Sequence, residues 1–202
     1  MKVSKLSPEQ ASINLDIEAI ENEYFSNEKS APYRRGKAFQ HLCYSITSNI
    51  YPQDIEEEDI IDGKDEEGID IIAINETNNE MIVNILNCKS SISDNFSAND
   101  LTLFKNGLQY IFEEPTSIIS KLANIRLKFK IDQIRSNHDK IKQINVYYCV
   151  FNGKDQEPNV KSKVVEIITR YRKFIRVQYP YAEFNLELLG SKELFQEVRL
   201  HT

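Results

Sequence analysis

The sequence predicts one α/β domain with a mixed central sheet flanked by helices, and three observations carry that expectation. Segments with apolar residues at helical spacing alternate with short β-branched runs, in the order α-α-β-β-β-α-α-β-α-β-α. Residues 69–74 and 82–86 are almost continuously aliphatic, the pattern of strands covered on both faces. The 202 residues, 41% hydrophobic and 28% charged, are enough to bury a real core and show no repeat, low-complexity tract or obvious linker.

The elements follow in order. Residues 7–25 open with Ser7-Pro8 and continue with Ile13, Ile17, Ile20 and Tyr24, a capped helix. Residues 32–50 repeat the spacing with Phe39, Cys43, Ile46 and Ile50 until Pro52 stops it. Three strands are expected at 59–62, 69–75 and 81–90, the last two joined by a turn at Asn78-Asn79. A helix at 99–112 precedes a second, opened by Pro115 and running to about residue 136, with Ile118, Leu122, Ile125 and Phe129 as its apolar stripe. A buried strand at 141–151, a long helix at 159–177, an alternating strand at 183–188 and a short helix at 191–198 complete the chain.

The net charge of −6 argues, taken whole, against nucleic acid, but the charge is segregated. Residues 1–116 hold 9 basic and 22 acidic side chains, and residues 117–181 hold 14 and 5. Ten carboxylates lie in residues 54–70 against a single Lys64, a run that is usually a solvated turn but also offers oxygen ligands to a divalent cation. No apolar run is long enough for a transmembrane helix, and the N-terminus lacks the apolar stretch of a signal peptide. Cys43, Cys88 and Cys149 are far apart and odd in number, which points to a reducing cytoplasm and argues against a disulfide framework or a zinc site. His41, His138 and His201 have no ligand spacing, and no P-loop, GxSxG or GxGxxG occurs.

The hairpin supplies a candidate site. With Asn78-Asn79 as a two-residue turn, cross-strand partners sum to 157, so Asp70 faces Asn87 with α-carbons roughly 4.5–5.5 Å apart. Alternation then sets Asp70, Asn87 and Lys89 on one face with Ile72, Ile74, Val83 and Ile85. Burying a charge without a partner is costly, so the cluster reads either as an Asp70–Lys89 salt bridge or as a phosphodiesterase site. In the second case Asp70, the Asn87 side-chain oxygen and the Cys88 backbone carbonyl hold Mg2+ (or Mn2+). Lys89 then orients or deprotonates the attacking water and stabilises charge on phosphate.

Asp62-Gly63-Lys64-Asp65-Glu66-Glu67-Gly68-Ile69-Asp70, followed by Asn87-Cys88-Lys89-Ser90, resembles the PD-(D/E)XK nuclease superfamily. The closer likeness is to the N-terminal nuclease-like domain of AIPR (abortive infection phage resistance) proteins. Their F-x-x-G helix is matched by Phe104-Lys105-Asn106-Gly107, and their F-E helix segment by Phe39-Gln40. The likeness covers about residues 33–113, with a basic helical and strand half at 114–202, and treats residues 1–202 as a single domain. It implies a restriction-endonuclease-like core (α-β-β-β-α-β), a site of Asp70, Asn87, Lys89 and Gln40 with Asp62 and Asp65 as further metal ligands, and a role in antiviral defence. Gln40 and Asn87 depart from the usual acidic residues, and neutral amides hold Mg2+ more weakly than carboxylates. AIPR proteins usually continue well past such a domain.

In the basic half, Lys121, Lys128 and Arg135 recur every seven residues, and Lys163, Arg170, Lys173 and Arg176 line the outer face of the helix at 159–177. Such arrays serve as soluble helix faces or neutralise a phosphate backbone, and neither helix has the apolar face of a membrane-surface helix. The expectations are therefore a cytoplasmic Mg2+-dependent endonuclease acting on DNA or RNA, or a decayed nuclease-fold module. The latter would bind nucleic acid, a second copy or a protein partner in a defence complex.

Overall fold

The computed structural model describes residues 6–28, 30–61, 68–153 and 157–200. Helix α1 (Pro8–Tyr24) starts at a capping box in which the Ser7 hydroxyl accepts from the Gln10 amide while the Gln10 side chain accepts from the Ser7 amide. Helix α2 (Ala31–Ser48) ends where Asn49 takes the left-handed conformation, with φ at 52°. Strands β1 (Ile71–Thr77) and β2 (Glu80–Lys89) form an antiparallel hairpin in the predicted register, from Ile71 opposite Leu86 to Thr77 opposite Glu80. Its turn works because both Asn78 and Asn79 accept positive φ, at 52° and 67°, which a type I′ turn demands.

Helices α3 (Ala98–Phe112), α4 (Thr116–Ile119) and α5 (Ile125–Ser136) then lead to β3 (Ile141–Val150), and α6 (Pro158–Gln178) leads to β4 (Glu183–Leu189) and α7 (Ser191–Leu200). The four strands lie in chain order, β1 antiparallel to β2 and β2, β3 and β4 parallel, so the sheet is mixed as expected. Helices cover both faces. One face, with Ile71, Ala73, Leu86, Cys149 and Phe151, packs on α1, α2 and α7. The other, with Ile72, Val83, Ile85, Ile144, Val146 and Tyr148, packs on α3, α5 and α6.

Two expectations change. The strand predicted at 59–62 is reduced to a single antiparallel bridge between Ile60 and Ile71, because residues 57–59 form a 3₁₀ turn and Asp59 turns inward to Lys130 and Tyr44. Its last residue, Asp62, lies outside the described residues. The helix predicted from 115 to 136 is broken. Asn124 restarts it by accepting from the Leu127 amide at 3.0 Å, which rotates the register. Leu127, Ile131 and Ile134 now face the core, while Ile125 and Phe129 of the predicted stripe are 79% and 57% exposed.

Candidate active site

Asp70 sits where the hairpin loses its regularity. Ile69 belongs to the core under α3 and Ile71 to the core under α2, so two residues that strict alternation would set on one face lie on opposite faces. The Asp70 amide bonds the Leu86 carbonyl at 2.9 Å although Leu86 is already the partner of Ile71. Two residues oppose one, as in a β-bulge, a device that re-aims a side chain. Asp70 is thereby lifted out of the alternation that was to set it beside Asn87, which corrects the expected single face. Its Oδ1 accepts from Gln40 Nε2 at 3.0 Å and its Oδ2 from the Cys88 backbone amide at 2.6 Å. Gln40, thirty residues away in sequence, is thus brought to Asp70 as expected.

Burial dominates the electrostatics of Asp70 and, with the neighbouring Cys88, pushes its carboxyl up to about 7. The Cys88 amide, the Lys89 charge and the Gln40 amide oppose that shift without overcoming it. Lys89 is half-buried and makes no ion pair among the described residues, so the expected Asp70–Lys89 salt bridge is not formed. Asn87, only 2% exposed, donates its amide to the Gly68 carbonyl at 2.6 Å. Gly68 carries a φ of +72° and packs under Leu103 and Phe104 of α3, so it bends the chain back over the amide.

Two acceptors at this place have no donor: Asn87 Oδ1 and Gln40 Oε1 are buried and unpartnered, while their NH2 groups are already committed. A buried acceptor without a donor calls for an explanation. Gln40 Oε1 lies on the α2 side with Asp70, and Asn87 Oδ1 on the α3 side with Gly68, so the strand ends offer hard oxygens from both faces with a single carboxylate among them. That set fits a weakly held Mg2+ or Mn2+ better than a soft ion. Asp62 and Asp65 lie outside the described residues.

Sequence reasoning missed Arg35. Its Nε donates to the Ser90 carbonyl, one residue beyond Lys89, and Nη1 donates to Asn14. The guanidinium lies 4.7 Å from the Phe151 ring centroid, and Nη2 is buried without a partner. Only the fold brings α2 over the ends of β2 and β3, so nothing in the local sequence marked this residue.

The basic side chains divide. Arg135 caps α3 by donating to the carbonyls of Tyr110, Ile111 and Glu114, and Arg170 forms a two-bond pair with Glu113. Lys163 pairs with Glu166, which also holds Lys105. Lys121, Lys173 and Arg176 are exposed, Lys128 is half-exposed, and none of these four makes an ion pair among the described residues. Arg172 bonds the Phe184 carbonyl at the start of β4, and Arg176 shares a shallow cavity with Glu183 and Phe184. Phe184 aligns with Ile144, and Ile144 with Val83, so this end of α6 stands six residues, about 20 Å, from Lys89 along the strands. The array predicted as one surface is therefore split, and its exposed end lies at the opposite edge of the sheet from Asp70.

Sequence distance misjudged the cysteines. Cys43, Cys88 and Cys149 bring their sulfurs within 4.8 Å of one another on the α2 side of the sheet. Hydrogen bonds from the other two thiols draw the Cys149 thiol down, while burial holds Cys43 and Cys88 well above the usual thiol range. His41 packs edge-on against Phe25 at 4.8 Å and is pushed down to about 4 by burial and by Lys37. Tyr148 is core, with its hydroxyl on Asp100.

The class that these observations define is a mixed α/β protein with a four-stranded sheet between two helical layers. No family model, curated protein or solved structure matches the chain. No described helix is long and apolar enough to cross a membrane.

Proposed function

We propose that the chain is a metal-dependent nuclease domain that hydrolyses phosphodiesters of DNA, with RNA as the second substrate class. The observation that carries this reading is the Asp70 carboxylate, fixed by Gln40 and the Cys88 amide, near a Lys89 without an ion pair and two buried oxygens without a donor among the described residues. The motif resemblance at Asp70 and Asn87-Cys88-Lys89 supports the PD-(D/E)XK class and a cytoplasmic role in phage defence.

Asp70, Gln40 Oε1, Asn87 Oδ1 and the Cys88 carbonyl are the residues that would hold Mg2+ or Mn2+. When bound, the ion supplies Lewis-acid polarisation of a phosphate oxygen. Lys89, without an ion pair among the described residues, holds the attacking water and offsets charge on the phosphate as the water oxygen bonds to phosphorus, the bridging oxygen leaves and the water's proton passes to solvent. Arg35 Nη2 is a further donor near the same strand ends.

The purified protein with Mg2+ or Mn2+ should cut DNA or RNA, and Asp70→Ala and Lys89→Ala should each lose that activity. Equal cleavage by Lys89→Ala, or no cleavage of either polymer by wild type, rejects the reading. One observation favours a second, non-catalytic reading: both motif amides spend their donors on protein acceptors, Gln40 on Asp70 and Asn87 on Gly68. That reading predicts metal-independent, salt-sensitive nucleic-acid binding that survives Asp70→Ala. If neither cleavage nor low-salt binding is found, a partner-protein role in a defence complex is left.

A further inference from the structure

We infer that Cys43, Cys88 and Cys149 form a binding site for one thiophilic cation of the zinc class, built from sulfurs and adjoining the hard-oxygen site at Asp70 through Cys88. Three different elements contribute one sulfur each. Cys88 on β2 and Cys149 on β3 are register partners in adjacent parallel strands, so their side chains stand side by side on the same face. Cys43 on α2 packs in the same layer and completes a triangle with no sulfur–sulfur distance above 4.8 Å. A zinc–sulfur bond of about 2.3 Å requires sulfurs about 3.8 Å apart in a tetrahedral set. The triangle must therefore tighten by about 1 Å at most, an adjustment within the reach of small side-chain rotations.

The donor set selects the ion. Three sulfurs are soft ligands that favour Zn2+ and its heavier or monovalent analogues over Mg2+ or Ca2+. Cys43 and Cys149 are fully buried and Cys88 is half-buried, so Cys88 is the member nearest the surface. A fourth, exchangeable ligand belongs there, and a water molecule serves. Binding forms three metal–sulfur bonds and breaks three S–H bonds, with three protons passing to solvent, so affinity must rise with pH. No oxidant or reductant takes part. The alternative role of these thiols, as small apolar fillers of the core, needs no such convergence and predicts that valine substitutes for each of them.

Zn2+ alone, added to the reduced, metal-free chain, should bind one ion per chain by calorimetry, and Co2+ should give the sulfur-to-metal charge-transfer band of thiolate ligation. Cys43→Val and Cys149→Val should abolish both signals, whereas Asp70→Asn should keep them. The absence of a charge-transfer band in the wild type overturns the inference whether or not the variants fold. So does stoichiometric binding that persists in both valine variants with folded circular dichroism, or binding lost only in Asp70→Asn, which assigns the ion to the carboxylate. The site stands independently of nuclease activity: zinc binding with no cleavage rejects only the nuclease reading, and cleavage with no zinc binding rejects only this one.

Discussion

Asp59 and Asp70 lie eleven positions apart in the same acidic stretch, and the fold treats them oppositely. Asp59, 5% exposed, receives the Tyr44 hydroxyl on one oxygen and the Lys130 ammonium on the other. Its charge is answered inside the protein by a cation as buried as itself. Asp70 receives two neutral N–H groups and, among the described residues, no cation in contact, and burial lifts it towards neutrality. The difference separates a carboxylate that fastens α5 to the 3₁₀ turn from one left with an unmet demand for positive charge. Burial of an acidic residue says little about role until the compensating charge is found.

Four substitutions break or sharpen that contrast. The largest effect belongs to Lys130→Met, which strands Asp59 as an uncompensated buried charge and should cost about 3–5 kcal/mol in urea unfolding. A cost below about 1 kcal/mol would mean that Asp59 finds another partner. Tyr44→Phe removes one hydrogen bond to the same carboxylate and should cost about 1–3 kcal/mol by the same measurement.

Asp70→Asn tests the other side through pH. The folded carboxyl holds its proton up to about 7, against an ordinary value of 3.8, so the unfolded chain binds fewer protons between those limits. Wild-type stability should therefore be fully present below about pH 4 and fall as pH rises to about 7. Partial solvent screening limits the loss to about 1–2 kcal/mol. Unfolding curves of Asp70→Asn should lack this slope, and an unchanged slope would trace it to another group. The smallest change is expected from Gln40→Glu, which sets a second carboxylate beside Asp70. Without metal it should lower stability by about 1 kcal/mol or less, and with Mg2+ it should raise the melting temperature above that of wild type with Mg2+. No Mg2+ response in either protein counts against an ion at Asp70.

The register of the hairpin was legible from Ile71 to Glu80, because Asn78-Asn79 dictates a turn type and the turn dictates the register, whereas the strand bounds differ by up to two residues. The helices were legible from caps and spacing, except where Asn124 restarted α5 on a new phase within an unbroken apolar pattern. At the site, Asp70 was found from the hairpin register and Gln40 through a motif resemblance, and the structure brings them together. The irregularity at Asp70 was not legible, since a strand of alternating residues carries no mark of where one extra residue is accommodated. Nor was the sulfur triangle. Its members share neither a helix turn nor a strand, and only the pairing of β2 with β3 and the placement of α2 above them make them neighbours.

The parallel pairing of β2 with β3 also orders events in time. The hairpin closes through two turn residues, whereas Asn84 and Asn145, bonded at 3.0 Å across β2 and β3, are separated by 61 positions. Local hairpins form within about 1–10 μs, while a crossover of that length must first meet the entropy of a long loop. During folding, then, the hairpin precedes the third strand, and Asp70 and Cys88 pass through an interval in open water. In that interval the carboxylate ionises at its ordinary pKa and the Cys88 thiol is open to solvent, until β3 brings Cys149 alongside it under α2.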